Sequence, residues 1–463
     1  MDKERKKRPI GTKGVRAGLA ERDLRHIWHP YTQMKDCESM PPIPLAKARG
    51  IKLFTPDGSY YYDTISSWWC NVHGHCHPHI VRAIRQQARR LDHVLFAGFT
   101  HEPAVKLAER LTAIAPKGLS KVFFSDNGST AVEVALKLSV QFWQMKGKPD
   151  KRCFLGLDRG YHGDTFGAMS VSGVDLYNKR FEPMFFRAFK APAPYCYRCA
   201  SGMGGVGCSL NCLAEMEKIL KRYHEKIAAI ILEPMFLGAG GMIVYPALYL
   251  KKTAELAKKY KVHLILDEVA SGFGRTGKMF ASEHAGVSPD IMCVSKGLTS
   301  GYLPLAATLV KEELFRAFYG DFDKFKTFYH GHTYTANPIA CAAANASLDV
   351  FDMEGSLDNV GLINRSLKSF LSDMSGLGIV GDTRCIGVVG ALELVKDKST
   401  KCSFGPKRRI GQEIYRAGLL RNLLLRPLGD IVYFFLPLSA RQRELNEIFE
   451  KASEVIYEIN SCS

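Results

Sequence analysis

Apolar residues along the chain alternate between two spacings, one typical of helices and one typical of strands. A period near 3.6 residues predicts helices over 79–91, 103–114, 130–146, 214–226 and 246–260. Short apolar runs between them predict strands over 121–125, 152–157, 228–233, 263–267, 291–295 and 306–310. Helices that alternate with such strands are typical of a mostly parallel sheet covered on both faces.

The two ends of the chain follow a different pattern. Residues 50–63 predict a hairpin with a Pro-Asp-Gly turn at 56–58, and a long alanine-rich helix beyond residue 337 precedes strands near 386–394 and 431–435. We therefore predict an α/β fold with a large domain, built on the central sheet, and a smaller α+β domain built from both chain ends. The predicted boundaries are 1–20 for a disordered basic tail, 21–75 and 337–463 for the small domain, and 76–336 for the large domain.

The composition excludes several classes of protein. The 463 residues are 46% hydrophobic and 24% charged, which excludes a disordered chain, a collagen and a coiled-coil rod. No apolar stretch reaches the roughly 18 residues of a membrane-spanning helix, so we expect no membrane partner. Because the N-terminus lacks the pattern of a signal peptide, we expect a cytoplasmic protein.

The charge indicates small anionic partners rather than nucleic acid. The net charge is +17, from 63 basic and 46 acidic residues, and residues 1–20 contribute +5 of it through seven bases and two acids. A basic total can attract nucleic acid, but no basic helix with interleaved aromatic residues is present. We therefore expect a solvated surface suited to anionic small molecules.

Thirteen cysteines in a chain without an export signal predict reduced thiols rather than disulfides. Four of them, Cys196, Cys199, Cys208 and Cys212, cluster in a glycine-rich segment. Their spacing could hold a structural zinc ion, and the alternative is a surface loop without a metal. Neither alternative gives these thiols a catalytic role.

Two predicted strands end in residues that could carry chemistry. The strand 263–267 ends at Asp267, which Glu268 follows, and the strand 291–295 is followed by Lys296. Because ligands of open α/β sheets bind outside the carboxyl ends of the strands, we expect Asp267 and Lys296 to share one site. A lysine at a strand end is by itself most often a solvated residue, so its interpretation as a cofactor-binding lysine depends on two further motifs.

These two motifs predict a phosphate site and an aromatic wall. Gly128 and Ser129 open the helix after strand 121–125, where free N–H groups and the helix dipole favour a phosphate. An ordinary N-cap turn is the alternative. Tyr161 lies in the segment Gly-Tyr-His-Gly-Asp-Thr at 160–165, where its ring could lie flat against a heteroaromatic ring, or simply be a buried aromatic in a turn.

Taken together, these features resemble the fold-type-I pyridoxal-phosphate enzymes, and among them the class III aminotransferases. The stretches Asp-Glu-Val at 267–269, Gly-Phe-Gly-Arg-Thr-Gly at 272–277 and Ser-Lys-Gly at 295–297 match that family's signature in order and spacing. The branch that acts on 8-amino-7-oxononanoate in biotin biosynthesis is similar at 26–32, 66–69, 160–170 and 425–429. The resemblance runs from about residue 22 to the C-terminus.

The resemblance implies a site for pyridoxal 5′-phosphate. Lys296 would bind the cofactor covalently and move a proton from the donor carbon, while Asp267 would pair with the pyridine nitrogen. Lys296, Asp267 and Tyr161 would be the catalytic residues. The other implied cofactor-binding residues are Gly128, Ser129, Val269, His332 and Thr333.

The resemblance also implies a pocket for a keto acid and a second subunit. Arg426 would pair with the carboxylate of the keto substrate. The other implied substrate-binding residues are Tyr31, Trp68, Tyr161, Lys296, Gly331 and Tyr433. Gly331 and Thr333 would reach the site from the second subunit, which implies a homodimer with a shared active site.

The implied reaction transfers an amino group to 8-amino-7-oxononanoate and forms 7,8-diaminononanoate. The amino donor stays open between S-adenosylmethionine and lysine, because His332 stands where adenosylmethionine-using relatives commonly carry proline. Two other interpretations are a class III aminotransferase for another diamine or ω-amino acid, and a non-catalytic protein that binds a cofactor or nucleic acid.

Overall fold

Seven strands form the central sheet of the protein, whose computed structural model describes residues 18–199, 202 and 208–462. In chain order they are β1 (Leu119–Ser125), β2 (Cys153–Leu157), β3 (Ala188–Ala191), β4 (Ile227–Leu232), β5 (His263–Asp267), β6 (Ile291–Val294) and β7 (Ala306–Lys311). Their spatial order is β1-β7-β6-β5-β4-β2-β3. Only β7 runs opposite to the other six strands of this sheet, so the predicted α/β fold with a mostly parallel sheet is confirmed.

The three strands at the centre of the sheet are buried along their whole length. In β5, Ile265 lies opposite Ile231 of β4 and Ile291 of β6. These three side chains belong to one hydrophobic core, whereas Leu264 belongs to the core on the other face. Because both faces are covered, each strand is a continuous apolar run instead of an alternating one.

The helices and strands predicted around this sheet are present, with small shifts at their ends. The five predicted helices are Pro78–Ala88, Glu102–Ile114, Gly128–Met145, Asn211–Tyr223 and Ala247–Lys259. The strand β3 was not predicted, because it is a four-residue edge strand that contains Lys190 and has only one buried residue, Ala191. Strands of this kind carry little periodic signal.

Further helices complete the described part of the chain, and none of them combines the length and hydropathy needed to cross a bilayer. They are Leu19–His26, the single turn Ser66–Trp69, Phe166–Val171, Asp175–Asn178, Glu312–Phe318, Pro338–Glu354, Asp358–Met374, Ile410–Leu420 and Gln442–Ser461. Short 3₁₀ turns lie at Met34–Glu38, Glu182–Met184, Ala281–Ala285, Lys296–Thr299 and Phe322–Lys324.

A second sheet lies in the C-terminal part of the chain. Its three antiparallel strands are Val380–Ile386, Val389–Leu394 and Ile431–Phe435. The alanine-rich helix predicted after residue 337 is Pro338–Glu354, whose Ala343 and Ala346 pack in one cluster with Ile80. A two-stranded ladder joins Phe236–Leu237 to Ile243–Val244.

The described chain divides into two compact units, one of residues 18–48 and 53–60 and the other of residues 49–52 and 61–462. The first contains the predicted turn, in which the N–H of Gly58 donates to the carbonyl of Thr55 (3.1 Å). Three short strands, Lys47–Arg49, Lys52–Phe54 and Tyr60–Tyr62, occur where the chain passes between the units. The predicted domain boundaries stay a prediction, and residues 1–17 of the predicted tail lie outside the described residues.

Candidate active site

Asp267 and Lys296 come from neighbouring strands at the carboxyl edge of the central sheet. Asp267 ends β5 and lies opposite Cys293 of the parallel strand β6. Lys296 follows β6 directly after Ser295, whose hydroxyl donates to the carbonyl of Leu305 (2.8 Å). The backbone of Lys296 is left-handed, with φ +40°, a conformation that non-glycine residues adopt mainly where the surroundings impose it.

The surroundings of Lys296 lower the pKa of its ammonium group. Burial is the main cause, and the carboxylates of Asp267 and Glu233 favour the charged form and offset part of the shift. The Nζ atom also lies over the ring of Trp69, 4.5 Å from the ring centroid. Lys296 is thus held in place and gives up its proton more easily than an exposed lysine does.

His162 orients the carboxylate of Asp267. Its buried ring places Nδ1 at 2.8 Å from Asp267 Oδ2, and the N–H of Val269 donates to Oδ1 (3.1 Å). Both carboxylate oxygens therefore have a fixed partner. Sequence reasoning gave His162 no role of its own, although its place directly after Tyr161 was visible.

Glu233, which follows β4, is a second buried carboxyl group at this edge. The N–H of Gly238 donates to both of its oxygens (3.0 and 3.3 Å). Burial and then the charge of Asp267 raise the pKa of Glu233 well above its usual value. In the sequence, Glu233 is recognisable only as the last residue of the predicted strand 228–233, because no local pattern shows which carboxyl group the packing will bury.

The helix Gly128–Met145 begins beside Val269 at the same edge. The side chain of Asn127 accepts a hydrogen bond from the N–H of Thr130 (3.0 Å) and caps the helix. A Cβ atom at Gly128 would lie 2.6 Å from Cγ1 of Val269, so only glycine fits. The first turn of this 18-residue helix therefore offers N–H groups and a positive dipole end to an anion.

A chain of hydroxyl groups supports Ser129 at this helix start. Ser129 Oγ lies 2.8 Å from Thr165 Oγ1 and accepts a hydrogen bond from the N–H of Thr165 (3.1 Å). The Thr165 hydroxyl in turn donates to Glu133. Sequence reasoning missed Thr165 and Glu133, whose partners are 36 and 32 residues away in the chain.

Two adjacent tryptophans lie beside charged side chains. The guanidinium carbon of Arg426 is 4.2 Å from the ring centroid of Trp68, and Trp69 Nε1–H donates to the hydroxyl of Tyr433 (3.2 Å). Burial raises the pKa of Tyr433 to about 12, against the effect of the charge on Arg426. The structure thus brings Trp68, Arg426 and Tyr433 together with Trp69, which the sequence analysis had not chosen.

Tyr161 lies among further polar aromatic groups. Its hydroxyl donates to Asp164 Oδ1 (3.0 Å), and its ring meets Tyr177 edge-on at 6.1 Å between centroids. Burial raises the pKa of Tyr177, while the nearby charge of Arg426 lowers it. Tyr177 was not predicted and adds a hydroxyl group within the electrostatic reach of Arg426.

The remaining predicted site residues belong to two other segments of the chain. The carbonyl of Thr333 accepts a hydrogen bond from His93 Nε2 (2.6 Å), and the N–H of His332 donates to Thr335 (3.2 Å). Gly331 is exposed in the same loop. The predicted contact of this loop with the cofactor and substrate of a second subunit stays a prediction. Tyr31 belongs to the first compact unit, and its role also stays a prediction.

Comparison with known proteins assigns this geometry to a family. Residues 33–456 match the family Aminotransferase class-III. The chain belongs to the class III aminotransferases. The predicted fold-type-I architecture and the predicted family are therefore confirmed.

Curated relatives of this class III aminotransferase match it over almost the full length. The adenosylmethionine-8-amino-7-oxononanoate aminotransferase of Geobacter sulfurreducens is 44% identical over 446 residues, 95% of this chain and 98% of that protein. The protein of the same name from Aquifex aeolicus is 42% identical over 443 residues, 95% of this chain and 97% of that protein.

Solved structures match this aminotransferase over almost the full length as well. The adenosylmethionine-8-amino-7-oxononanoate aminotransferase of Methanocaldococcus jannaschii has a TM-score of 0.90 at 38% identity, covering 95% of this chain and 98% of its own. An ω-transaminase of Pseudomonas jessenii in complex with PMP has a TM-score of 0.90 at 31% identity, covering 96% and 99%.

Class III aminotransferases depend on pyridoxal phosphate, and the residues at the sheet edge of this member fit that cofactor. Lys296 is an amine whose protonated form is destabilised, and Asp267 is a carboxylate with a fixed direction. The cradle at Gly128, which a Cβ atom would fill, lies between Val269 and a helix start. Lys296, Asp267, Val269 and Gly128, four of the residues predicted to bind the cofactor, thus meet at one edge of the sheet.

The four clustered cysteines of this class III aminotransferase are the residues of the alternative zinc site. Cys196, Cys199, Cys208 and Cys212 are all partly buried. Across residues 18–199, 202 and 208–462, no group of three or more His, Cys, Asp or Glu side chains is arranged to hold a metal ion. The zinc alternative stays a prediction.

Proposed function

We propose that this protein converts 8-amino-7-oxononanoate to 7,8-diaminononanoate in biotin biosynthesis. One observation carries the proposal: Lys296 lies over the ring of Trp69, and Arg426 lies over the ring of Trp68. The two adjacent tryptophans therefore hold the amine that would react and the cation that would bind the substrate carboxylate. Curated relatives that are 37–44% identical bear the corresponding name.

The residues at the sheet edge would hold pyridoxal phosphate from all sides. Lys296 would hold it covalently, Asp267 at the pyridine nitrogen, and Gly128 with Ser129 at the phosphate. Val269 and Tyr161 would pack against the two ring faces. When bound, the cofactor supplies an electron sink for the carbon that bears the amino group.

Lys296 would transfer the proton in both halves of the reaction. Its lowered pKa makes the neutral amine accessible, so Nζ can take a proton from the amine-bearing carbon of the donor. Nζ would pass that proton to the bound cofactor within the same half of the reaction. In the second half it would carry a proton in the opposite direction, from the cofactor to the former ketone carbon of the acceptor. The ring of Trp69 below Nζ would stabilise the ammonium form while the proton is carried.

Asp267 would keep the pyridine nitrogen protonated. His162 and the N–H of Val269 bind its two oxygens, so the carboxylate keeps one orientation throughout turnover. Burial, and after it the charge of Asp267, raises the pKa of the neighbouring Glu233.

The substrate pocket suits a long keto acid with one terminal carboxylate. Arg426 would bind the carboxylate through its planar fork of N–H donors. Trp68, Tyr161 and Tyr433 would line the aliphatic chain between the carboxylate and the ketone. In this arrangement Arg426 would bind the carboxylate, and the aromatic side chains would contact the apolar chain of the substrate.

We infer a homodimer with a shared active site. The stretch around the loop 331–333 exposes a series of large aromatic side chains, and an exposed apolar surface of this kind marks a protein interface. The exposed aromatics are Tyr319, Phe322, Phe325, Tyr329 and Tyr334. A partner seated there would carry Gly331, His332 and Thr333 to the phosphate and substrate of the neighbouring site.

S-Adenosylmethionine is the proposed amino donor, with lysine as the alternative. The names of the curated relatives support the first, and His332 in the loop 331–333 is the residue that keeps the second open. A cytoplasmic location completes the proposal. It is supported by the buried unpaired thiols Cys293 and Cys341, since such thiols are typical of a reducing compartment.

Separate half-reactions test the proposal. The purified enzyme, loaded with pyridoxal phosphate, is mixed with S-adenosylmethionine or with lysine, and loss of the yellow aldehyde form identifies the donor. Addition of 8-amino-7-oxononanoate should restore the yellow form. Restoration by an ω-oxo acid or an aminoaldehyde, with no response to 8-amino-7-oxononanoate, would show that the protein is an aminotransferase for another substrate.

A further inference from the structure

A left-handed turn presents the two tryptophans of the site. Ser66, Ser67, Trp68 and Trp69 all have positive φ angles, at 50°, 45°, 69° and 74°. None of them is glycine, and L-residues rarely adopt this conformation because Cβ crowds the following carbonyl oxygen. Four such residues in succession persist only where the surrounding structure holds them.

Asp63 holds the middle of this turn. Its buried carboxylate accepts a hydrogen bond from the N–H of Ser67 at Oδ1 (2.9 Å) and one from the Ser67 hydroxyl at Oδ2 (2.7 Å). His75 Nε2 lies 2.9 Å from the same Oδ2. Two hydrogen bonds thus tie this carboxylate to the backbone and side chain of Ser67, and the third, with His75, keeps the carboxylate from turning away.

Other groups tie the two ends of the turn. The Ser66 hydroxyl donates to the carbonyl of Phe435 (2.6 Å). Arg275 donates to the carbonyls of Trp69 (3.1 Å) and Asn71 (2.8 Å). These contacts fix the beginning and the end of the turn, and the carboxylate of Asp63 fixes the backbone between them.

That backbone decides where the next side chain lies. Trp68 follows Ser67 directly, and Arg426 stacks on its indole ring at 4.2 Å. A guanidinium group stacked on an aromatic face is confined to one plane, so the ring beneath it sets the direction of its N–H donors. A displacement of Ser67 would therefore move the ring of Trp68, and the guanidinium group of Arg426 would move with that ring.

We propose that Asp63 is a positioning residue for the substrate carboxylate: through Ser67 and Trp68 it sets the orientation of Arg426. Asp63 is not a catalytic residue in this scheme, because it acts through other side chains and does not touch the substrate. The inference rests on the proposed function, since it takes Arg426 as the group that binds the carboxylate.

Binding of an acid and its amide tests this inference without turnover. Nonanoate carries the charge that Arg426 would bind, and nonanamide has the same chain without it. Their dissociation constants are measured by calorimetry on the holoenzyme and on Asp63→Asn, which keeps the side-chain volume and replaces one acceptor oxygen by an NH₂ group. We expect the preference for the acid over the amide to fall about tenfold in Asp63→Asn.

Parallel weakening of both ligands would mean that Asp63 only supports the fold, and an unchanged preference would mean that it does not orient Arg426. Either result overturns the inference. Arg426→Met separates this failure from a failure of the proposed pocket. If Arg426→Met keeps the preference for the acid, the carboxylate binds elsewhere and both proposals fall. If Arg426→Met loses it and Asp63→Asn keeps it, only the role of Asp63 falls.

Two further variants complete the experiment. Asp397 also holds a turn by its carboxylate, which accepts from the N–H of Thr400 (2.7 Å), but it contacts no residue of the site, so Asp397→Asn should keep the full preference. Ser67→Ala removes the hydroxyl bond to Asp63 (2.7 Å) and the longer contact of that hydroxyl with His75 Nε2 (3.5 Å), and it keeps the backbone N–H bond to Asp63. If Asp63→Asn does not fold, Ser67→Ala tests the inference instead. A fall of about threefold in its preference for the acid over the amide supports the inference, and an unchanged preference overturns it.

Discussion

At the scale of single residues, Lys296 meets two requirements that oppose each other in water. It must lose its proton readily, and it must stay in one place. Burial lowers its pKa, while Asp267, Glu233 and the ring of Trp69 hold the ammonium form. The groups that hold Lys296 in position therefore also limit how far its pKa falls.

Lys296→Ala should abolish covalent attachment of pyridoxal phosphate and lower turnover by about 10³-fold or more, because the proton-transfer group is lost. Borohydride reduction followed by peptide mass analysis measures the attachment. Lys190 is the internal control, since burial lowers its pKa to about 7 but it lies on the edge strand β3. Cofactor found on the Lys190 peptide would contradict the assignment of Lys296.

Arg426→Met should chiefly raise the KM for 8-amino-7-oxononanoate, because a charge-assisted hydrogen bond worth about 1.5–3 kcal/mol is lost. Steady-state kinetics with the acceptor varied measures the effect. Arg421→Met is the matched control, since Arg421 pairs with Glu454 and Glu458 instead. Equal KM values in the two variants would show that Arg426 does not bind the acid.

Residue roles were predictable to different degrees. Asp267 and Lys296 could be found because each stands at the end of an apolar run, and that position is visible in the sequence. The roles of His162 and Glu233 could not, because they depend on burial beside Asp267. A sequence shows that an ionisable group exists, but its surroundings decide the charge that it carries.

At the scale of helices and strands, the site follows from the parallel arrangement of β4, β5 and β6. Their carboxyl ends open at one edge, so Glu233, Asp267 and Lys296 meet although long segments separate them in the chain. The helix Gly128–Met145 begins at the same edge, and Gly128 is the point of closest approach to Val269. The elements thus assemble the site without a dedicated binding domain.

Gly128→Ala should weaken binding of pyridoxal phosphate by about 1–3 kcal/mol, because the added Cβ overpacks against Val269 and displaces the helix start. Cofactor affinity is measured by titration of the apoenzyme, with circular dichroism to check the fold. Gly405→Ala is the control, since no atom lies within 4 Å of a Cβ built there. Unchanged affinity in Gly128→Ala would exclude this cradle as the binding site.

At the scale of the whole molecule, buried histidines link stability to pH. Burial lowers the pKa of His73 to about 3 and that of His263 to about 4. The unfolded chain therefore binds more protons than the native one once the pH falls below the ordinary value of 6.5. Stability is full above that value and is lost as the pH falls towards 4 and 3.

His263→Gln should flatten this dependence. In the wild type, His263 makes the free energy of unfolding about 2 kcal/mol smaller at pH 5 than at pH 7. The variant lacks this proton uptake, so the difference between its free energies of unfolding at pH 5 and pH 7 should be smaller by that amount. Urea denaturation at both pH values measures it, and a difference equal to that of the wild type would contradict the assignment.

The sequence by itself determined the α/β class, the positions of the helices and the strands at the centre of the sheet, and the two strand ends that carry Asp267 and Lys296. These features depend on periodicity and on neighbours along the chain, so they can be read without coordinates. Only the tertiary structure decided that His162 binds Asp267, that Arg426 stacks on Trp68, and that a left-handed turn places both tryptophans. Each of these depends on residues far apart in the chain, and their orientation and loss of solvent arise only when the elements pack.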